Sequence, residues 1–224
     1  GFPVDLTREI AEEAGLSLDD DRFNELMKEQ RNRARQARAN ISGWAGTDKT
    51  ALSEIPATSF TGYETLSGDA KILAILTEDG SVEEITEGEF TLVLDSTPFY
   101  GESGGQVGDN GALVGKDKMF TVSDTKKTAG GVFTHFGALD NGTLSVGDTV
   151  IAEINTARRE AIRRNHTAAH LLQAALRKVL GTHVEQAGQL VNEFAVRFDF
   201  THFSALSAEE TAQVEEFVNK AILD

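Results

Sequence analysis

Residues 148–181 read DTVIAEINTARREAIRRNHTAAHLLQAALRKVLG. The first seven make a short β-rich run. From 156 onward the pattern is helical. Ala161, Ile162, Ala169, Leu172, Ala175, Leu176 and Val179 fall near a 3.6-residue period, and Gly181 closes the run. A β-rich stretch hands over to a helix here, and this junction organises the rest of the chain.

Upstream, residues 58–155 are short β-rich runs: KILAILT (71–77), EFTLVLD (89–95), MFTVSDT (119–125), GVFTHFGAL (131–139) and DTVIAEI (148–154). Glycine turn signals, EDG at 78–80 and DNG at 109–111 and 140–142, punctuate them, as in a small antiparallel barrel. Downstream, HVEQAGQLV (183–191) and FAVRFDF (194–200) read as a hairpin turned at Asn192-Glu193. A last helix, SAEETAQVEEFVNKAIL (207–223), opens on a Ser207–Glu210 capping box. Residues 1–40 read as helical. Asp5 caps LTREIAEEA and Gly15 ends it; Ser17 with Asp20 starts a second helix with Leu18, Phe23, Leu26 and Met27 on its apolar side. Gly, Ser, Thr and Pro over 41–57 mark a linker. The fold class is therefore α+β: a helical segment and linker (1–57), a small antiparallel β-barrel (58–155), and a subdomain of helix packed on antiparallel sheet (156–224). One hairpin and one helix are a thin layer on which to end a domain, so this reading expects more chain past Asp224.

Of the 224 residues, 40% are hydrophobic and 25% charged, ordinary for a soluble globular protein. There is no apolar run near the ~18 residues of a membrane span and no signal peptide. The chain has no cysteine, hence no disulfide and no thiolate ligand, which fits a cytosolic protein. The net charge of −15 argues against non-specific nucleic-acid binding. Two basic clusters stand against it. RNRARQAR (31–38) puts Arg31, Arg35 and Arg38 on one helix face, and ARREAIRR (157–164) carries Arg158, Arg159, Arg163 and Arg164 into HTAAH. A basic run is usually a solvated helix face; in so acidic a chain, phosphate contact gains weight.

His166 and His170 stand four apart, on one face and close enough to share a metal ion, although the same spacing also suits two histidines that merely line a helix. Thr167 follows His166, so the Glu of the HExxH metalloproteases is missing. His135, His183, His202 and many carboxylates remain open as a third ligand. STPFYGESGGQVGDNG (96–111) has five glycines within residues 101–111, the composition of a loop that passes close to something or adopts positive φ. Ser103, Gln106 and the glycine amides there can bind a carboxylate, phosphate or ribose. Gln186, in HVEQAG, comes near the histidine pair if the hairpin folds back on the helix.

Three stretches, STPFYGESGGQVGDNG, RRNHTAAHLLQAALRKVLGTHVEQAGQLV and RFDFTHFSAL, closely resemble the editing region of the alanyl-tRNA synthetase family. GFPVDLTREIAEEAGLSLDDDRFNELMKEQRNRAR (1–35) resembles the stretch before it, where the helical tRNA-recognition domain ends. The resemblance is collinear and covers nearly the whole chain. Free-standing editing proteins share the glycine loop and the HTAAH helix but not GFPVDLT, which favours a piece of a synthetase over a trans-editing deacylase.

The resemblance implies hydrolysis of Ser-tRNA(Ala) and Gly-tRNA(Ala), within a parent protein that attaches alanine to tRNA(Ala) using ATP. ATP and Mg belong to an upstream catalytic domain, and nothing here resembles its core. Zinc is implied on His166, His170 and a CxxxH pair some tens of residues past Asp224. Gln186 matches a glutamine implicated in that family, and the 101–106 loop a wall of the amino-acid pocket. Gln186, Gln106 and Ser103 are thus the candidate catalytic residues. The partner implied is tRNA(Ala), held by the arginines above, with no membrane and no DNA. The location is cytoplasmic, and any homo-oligomer forms through a region past Asp224. Two readings compete: a non-catalytic module that holds the acceptor end, and a metal-dependent hydrolase of small molecules, which leaves the arginines unexplained.

Overall fold

The computed structural model describes residues 13–16, 19, 22, 23, 25–29, 52 and 55–223. The chain divides into two compact units, Gly1–Gly46 and Thr47–Asp224. In the first, residues 22, 23 and 25–29 are helical. Gly15 has φ +70°, as expected for a residue ending a helix. The Asp19 carboxylate accepts from Arg22 N at 2.9 Å and so caps the second helical run. Asp5, the Ser17–Asp20 box, Leu18, Arg31, Arg35, Arg38 and most of the linker lie outside the described residues.

The second unit begins with eleven strands: β1 (Ser59–Phe60), β2 (Ser67–Thr77), β3 (Gly80–Val82), β4 (Glu84–Ile85), β5 (Glu89–Leu94), β6 (Ser96–Thr97), β7 (Gly111–Gly115), β8 (Lys118–Lys127), β9 (Phe133–Asn141), β10 (Leu144–Ser145) and β11 (Thr149–Ile154). Six of them pair antiparallel in the order β11-β7-β8-β9-β5-β2, and β11 returns to β2 with Val150 opposite Ala70. The sheet is a closed barrel with no free edge among those six. In β11 Val150, Ala152 and Ile154 are buried and the residues between them exposed. These join Ile72, Leu92, Leu94, Phe99, Leu113 and Phe120 in one core, where the Phe90 and Phe120 rings lie 4.9 Å apart. Strand β7, GALVG, was not among the runs expected from the sequence. Only Leu113 of its five residues is fully buried, so it carries almost no alternation. Gly80 (φ +123°) and Gly142 (φ +83°) make turns as expected. The DNG at 109–111 does not make a hairpin turn. Gly111 begins β7, where a Cβ would come within 2.1 Å of Glu153 O.

Helix α1 (Thr156–Leu180) starts one residue after β11. The Asn155 side chain caps it by accepting from Arg158 N at 3.1 Å; Gly181 ends it, and Arg177 and Lys178 sit in the last turn near the carbonyl end of the dipole. Strands β12 (Gln186–Val191) and β13 (Val196–Phe200) form the expected hairpin, and α2 (Ala208–Leu223) follows. The turn is longer than Asn192-Glu193. It spans Asn192–Ala195, because the Asn192 carboxamide accepts from the amides of Phe194 and Ala195 at 2.8 and 2.9 Å. The capping box of α2 is reciprocal: Ser207 N donates to Glu210 Oε2 at 2.8 Å and Glu210 N to Ser207 Oγ at 3.2 Å. Ala175, Leu176, Val184 and Val214 form a core between α1, the hairpin and α2. Ile162, Ala169 and Val191 form another, with Val107 and Val196 against it. That second core brings three things to one place: the start of α1, the turn end of the hairpin, and the glycine-rich loop. Among the described residues no helix is long and apolar enough to cross a membrane.

Candidate functional site: the glycine loop against the HTAAH helix

Ser103-Gly104-Gly105-Gln106 is a tight turn. Ser103 N donates to Gln106 O at 3.2 Å, and Gln106 N to Ser103 O at 3.0 Å. Gly104 (φ +59°) and Gly105 (φ +78°) supply the two positive φ values that a type I′ turn demands. The turn is clamped onto β12. Val107 N donates to Val191 O at 3.1 Å and Val191 N to Gly105 O at 2.8 Å, while the Gln189 carboxamide donates to Gly104 O. A Cβ on Gly105 would lie 2.5 Å from Gln189 Cγ, so close approach adds to the φ requirement. Gln189 and Val191 stand two residues apart on β12, and no spacing in the sequence reveals their pairing with the turn.

This clamp buries Gln106 and aims it at α1. Its Oε1 lies 2.6 Å from His166 Nδ1. With the carboxamide oxygen accepting, Nδ1 carries the hydrogen and Nε2 keeps its lone pair. The His166 and His170 rings share a face, 5.2 Å apart and 21° from parallel, with His166 half-buried and His170 exposed. Partial burial first, then the neighbouring His170, lowers the His166 pKa below its usual 6.5, so the ring is neutral at pH 7. This is how a metal-ligating imidazole is prepared: neutral, with its second nitrogen tied to a hydrogen-bond partner.

None of the other histidines joins them. His135 is buried in the barrel, its Nε2 2.8 Å from Thr97 Oγ1 and its Nδ1 3.2 Å from Leu92 O. His183 and His202 bond each other, Nε2 to Nδ1 at 2.9 Å, beyond the far end of α1, about 22 Å of helix from His166. Among the described residues no third His, Cys, Asp or Glu completes a metal cluster. Gln186 is exposed, opposite Phe200 at the start of β12. About 17 Å of strand separates it from Val191, which meets the glycine loop. The glutamine in contact with His166 is therefore Gln106 and not Gln186. Ser103 is exposed at the turn, and Tyr100 Oη donates to its carbonyl at 3.4 Å.

The basic cluster splits in two. Arg159 was expected to meet RNA and instead lies buried. Its Nε donates to Asp109 Oδ2 at 2.9 Å, Nη1 to Gly62 O at 2.9 Å, and Nη2 to Pro98 O at 2.8 Å and to Asp109 as well. Its donors are committed inside the protein, where they join α1 to the barrel. Arg158 is half-buried; it donates to Glu193 at 2.9 Å and to Gly108 O at 2.8 Å, so it too is a staple. Asp109, which no spacing in the sequence singles out, also accepts from Tyr100 N at 2.8 Å and holds the glycine loop at its base. Arg163 and Arg164 are exposed. Arg163 makes a surface pair with Glu160 at 2.8 Å, and Arg164 makes no ion pair among the described residues. Beside Gln106, between the barrel and α1, opens a cleft of about 370 Å³ lined by Phe60, Tyr63, Tyr100, Arg159, Glu160 and Arg163 among others.

The family described as tRNA synthetases class II (A) matches residues 1–158, well over half of the chain. The chain belongs to that family. It is 49% identical to alanine--tRNA ligase 1 of Lachnoclostridium phytofermentans over 99% of this chain and 26% of that protein. The alanine--tRNA ligases of Acetivibrio thermocellus and Dichelobacter nodosus are each 49% identical over 100% of this chain, covering 26% and 25% of their own lengths. The chain thus corresponds to a stretch of an alanine--tRNA ligase and spans about a quarter of the length of these relatives. The family match ends at residue 158, while the pairwise identity runs on through HTAAH and the hairpin.

Proposed function

We propose that this chain is the editing region of an alanine--tRNA ligase, which hydrolyses Ser-tRNA(Ala) and Gly-tRNA(Ala). The observation that carries it is the buried Gln106 held against His166, on a glycine turn that opens beside the cleft. With its oxygen turned to His166, the Gln106 carboxamide keeps its N–H donors for a substrate. Among the described residues the amides of Gly104 and Gly105 donate to no protein group. Donors so arranged can bind a seryl hydroxyl or the oxygen on which charge develops as the ester is attacked. A group that pairs with a hydroxyl is left unpaired by alanine, and that difference favours serine. The need for a second site follows from size: serine and glycine are too close to alanine to be rejected by binding alone.

His166 and His170 fit half of a zinc site, with the remaining ligands supplied from past Asp224. Bound there, zinc would polarise the ester or lower the pKa of water. Gln106 fixes the His166 tautomer and thereby the nitrogen offered to the metal. The partner under this reading is tRNA(Ala), with Arg163 and Arg164 toward its phosphates; the location is cytoplasmic, and alanine attachment with ATP and Mg belongs to the rest of the parent ligase.

The test is release of labelled amino acid from Ser-, Gly- and Ala-tRNA(Ala) by this chain and by one extended past Asp224. Serine and glycine should be freed and alanine retained, and His166→Ala should abolish release. Equal hydrolysis of all three esters, or none by the extended chain, refutes the reading. Binding without hydrolysis by the extended chain would favour a module that only holds the acceptor end.

A further inference from the structure

The Phe60 ring stacks on Phe133, 5.4 Å away and 4° from parallel. Tyr63 stands edge-on to it at 5.0 Å and 85°, and Tyr100 at 6.3 Å and 71°. The cleft therefore has an aromatic wall with two tyrosine rings set across it. Tyr63 is 87% exposed, yet its backbone is held firmly. Thr61 N donates to Thr97 O at 2.9 Å, Glu64 N to Thr61 O at 3.0 Å, and Arg159 grips Gly62 O. A Cβ on Gly62 would lie 2.2 Å from Pro98 O, so the turn carrying Tyr63 can sit this close only with glycine there. A single exposed tyrosine is ordinary. A ring carried on a firmly held turn at the mouth of an aromatic cleft, with Arg163 also on its lining, has the form of a base-stacking surface.

We propose that this cleft receives the 3′-terminal nucleoside of the RNA, with its base stacked on Tyr63. The proposal rests on the hydrolytic reading of the site and names the part of the substrate that reading leaves unplaced. The ester joins the aminoacyl carbonyl directly to the terminal ribose, so the nucleoside must lie beside the reacting position. Gln106 belongs to both places: it touches His166 and lines the cleft. Size separates the two parts of the substrate. A serine side chain is two heavy atoms, and a pocket of about 370 Å³ walled by aromatic rings could not select it. That volume lies in the range of small-molecule sites and suits a base with its ribose. Arg163 is the exposed cation on the lining; it pairs with Glu160 at the surface, and with Glu64 also on the lining it is the group available to a phosphate there.

The experiment is equilibrium binding of the 224-residue chain to an RNA minihelix ending in CCA, and to the same RNA trimmed of its terminal adenosine. Trimming should weaken binding by roughly 5- to 150-fold, the worth of one base stacked on an aromatic ring. Tyr63→Ala should bind the whole RNA that much more weakly and be indifferent to trimming. Tyr63→Phe, which keeps the ring, should behave as the native chain. Tyr63 is so exposed that the fold should survive either change, and a melting curve verifies it. The proposal is overturned if the native chain binds neither RNA, if trimming costs nothing, or if Tyr63→Ala still discriminates between the two RNAs. Seryl-ester hydrolysis by a chain whose binding ignores the terminal adenosine would remove the cleft proposal alone. Adenosine-dependent binding through Tyr63, with no hydrolysis by the extended chain, would sustain the cleft and remove the hydrolytic reading.

Discussion

Arg159 shows how far one side chain's role depends on where it is packed. In the sequence it is one of four basic residues in ARREAIRR; in the structure it is buried against Asp109. Removing one partner of a buried pair leaves the other charge uncompensated, which costs about 3–5 kcal/mol. Arg159→Ala should lower stability by that order in urea unfolding, and Asp109→Asn by less; an Arg159→Ala chain as stable as the native one would mean that the pair contributes nothing. His135 makes a second case. Burial, only partly offset by its bond to Leu92 O, pushes its pKa down from 6.5 to about 4. Between those values the unfolded chain binds this proton and the folded chain does not. Stability from this group is therefore full above pH 6.5, falls as the pH drops toward 4, and is level below that. The loss is roughly 3 kcal/mol. His135→Gln should flatten the urea-midpoint profile across that window, and an unchanged profile would assign the acid sensitivity to other groups.

Two elements carry the site, the glycine turn and the first turns of α1. Gly105→Ala adds a methyl where φ is +78° and Gln189 Cγ would be 2.5 Å away. The strain, of order 1–3 kcal/mol, should be relieved by the turn lifting off β12. Seryl-ester hydrolysis by the extended chain should then fall at least tenfold while the barrel keeps its melting temperature within a few degrees. Full activity in this variant would show that the clamp does not position Gln106. Of the four arginines in the first turns of α1, Arg163 and Arg164 are the two left on the surface. Replacing both with Ala should weaken RNA binding equally for any sequence, because phosphate contacts position without specifying. The slope of log K against log salt should shrink by about one for each phosphate no longer neutralised. The Arg163–Glu160 pair is exposed and worth little, so thermal stability should hold. A salt slope that stays put would take these arginines out of the RNA interface.

For the molecule as a whole, the histidine pair sets how firmly a metal can be held. Two imidazoles on one face leave at least half of a tetrahedral zinc shell to water or to other ligands. The 224-residue chain should therefore bind zinc weakly and lose it to a mild chelator, while a chain extended past Asp224 should hold close to one zinc. Metal content by plasma emission after dialysis decides it. Chelator-resistant, stoichiometric zinc in the shorter chain would mean that His166 and His170 find their further ligands within these residues.

Much of this was legible in the residues. β-rich runs between glycine turn signals located five of the six barrel strands, the 3.6 period located α1, and the Ser207–Glu210 box located the start of α2, because each depends only on near neighbours along the chain. Strand β7 escaped, since GALVG is recognisable only by the strands on either side of it. The i,i+4 spacing alone put His166 and His170 on one face. That Gln106 rather than Gln186 meets His166, that Arg159 and Arg158 point inward while Arg163 and Arg164 stay in water, and that Tyr63 stands over a cleft were decided by the tertiary structure. Gln106 and His166 are sixty residues apart. They meet because barrel closure, the Gly104-Gly105 turn and the return of β12 act together, and no periodicity along the chain encodes that coincidence. The sequence by itself determined which residues had the chemistry; packing chose which of them share a site, because burying a charge or a carboxamide is tolerable only where partners from distant segments are already in place.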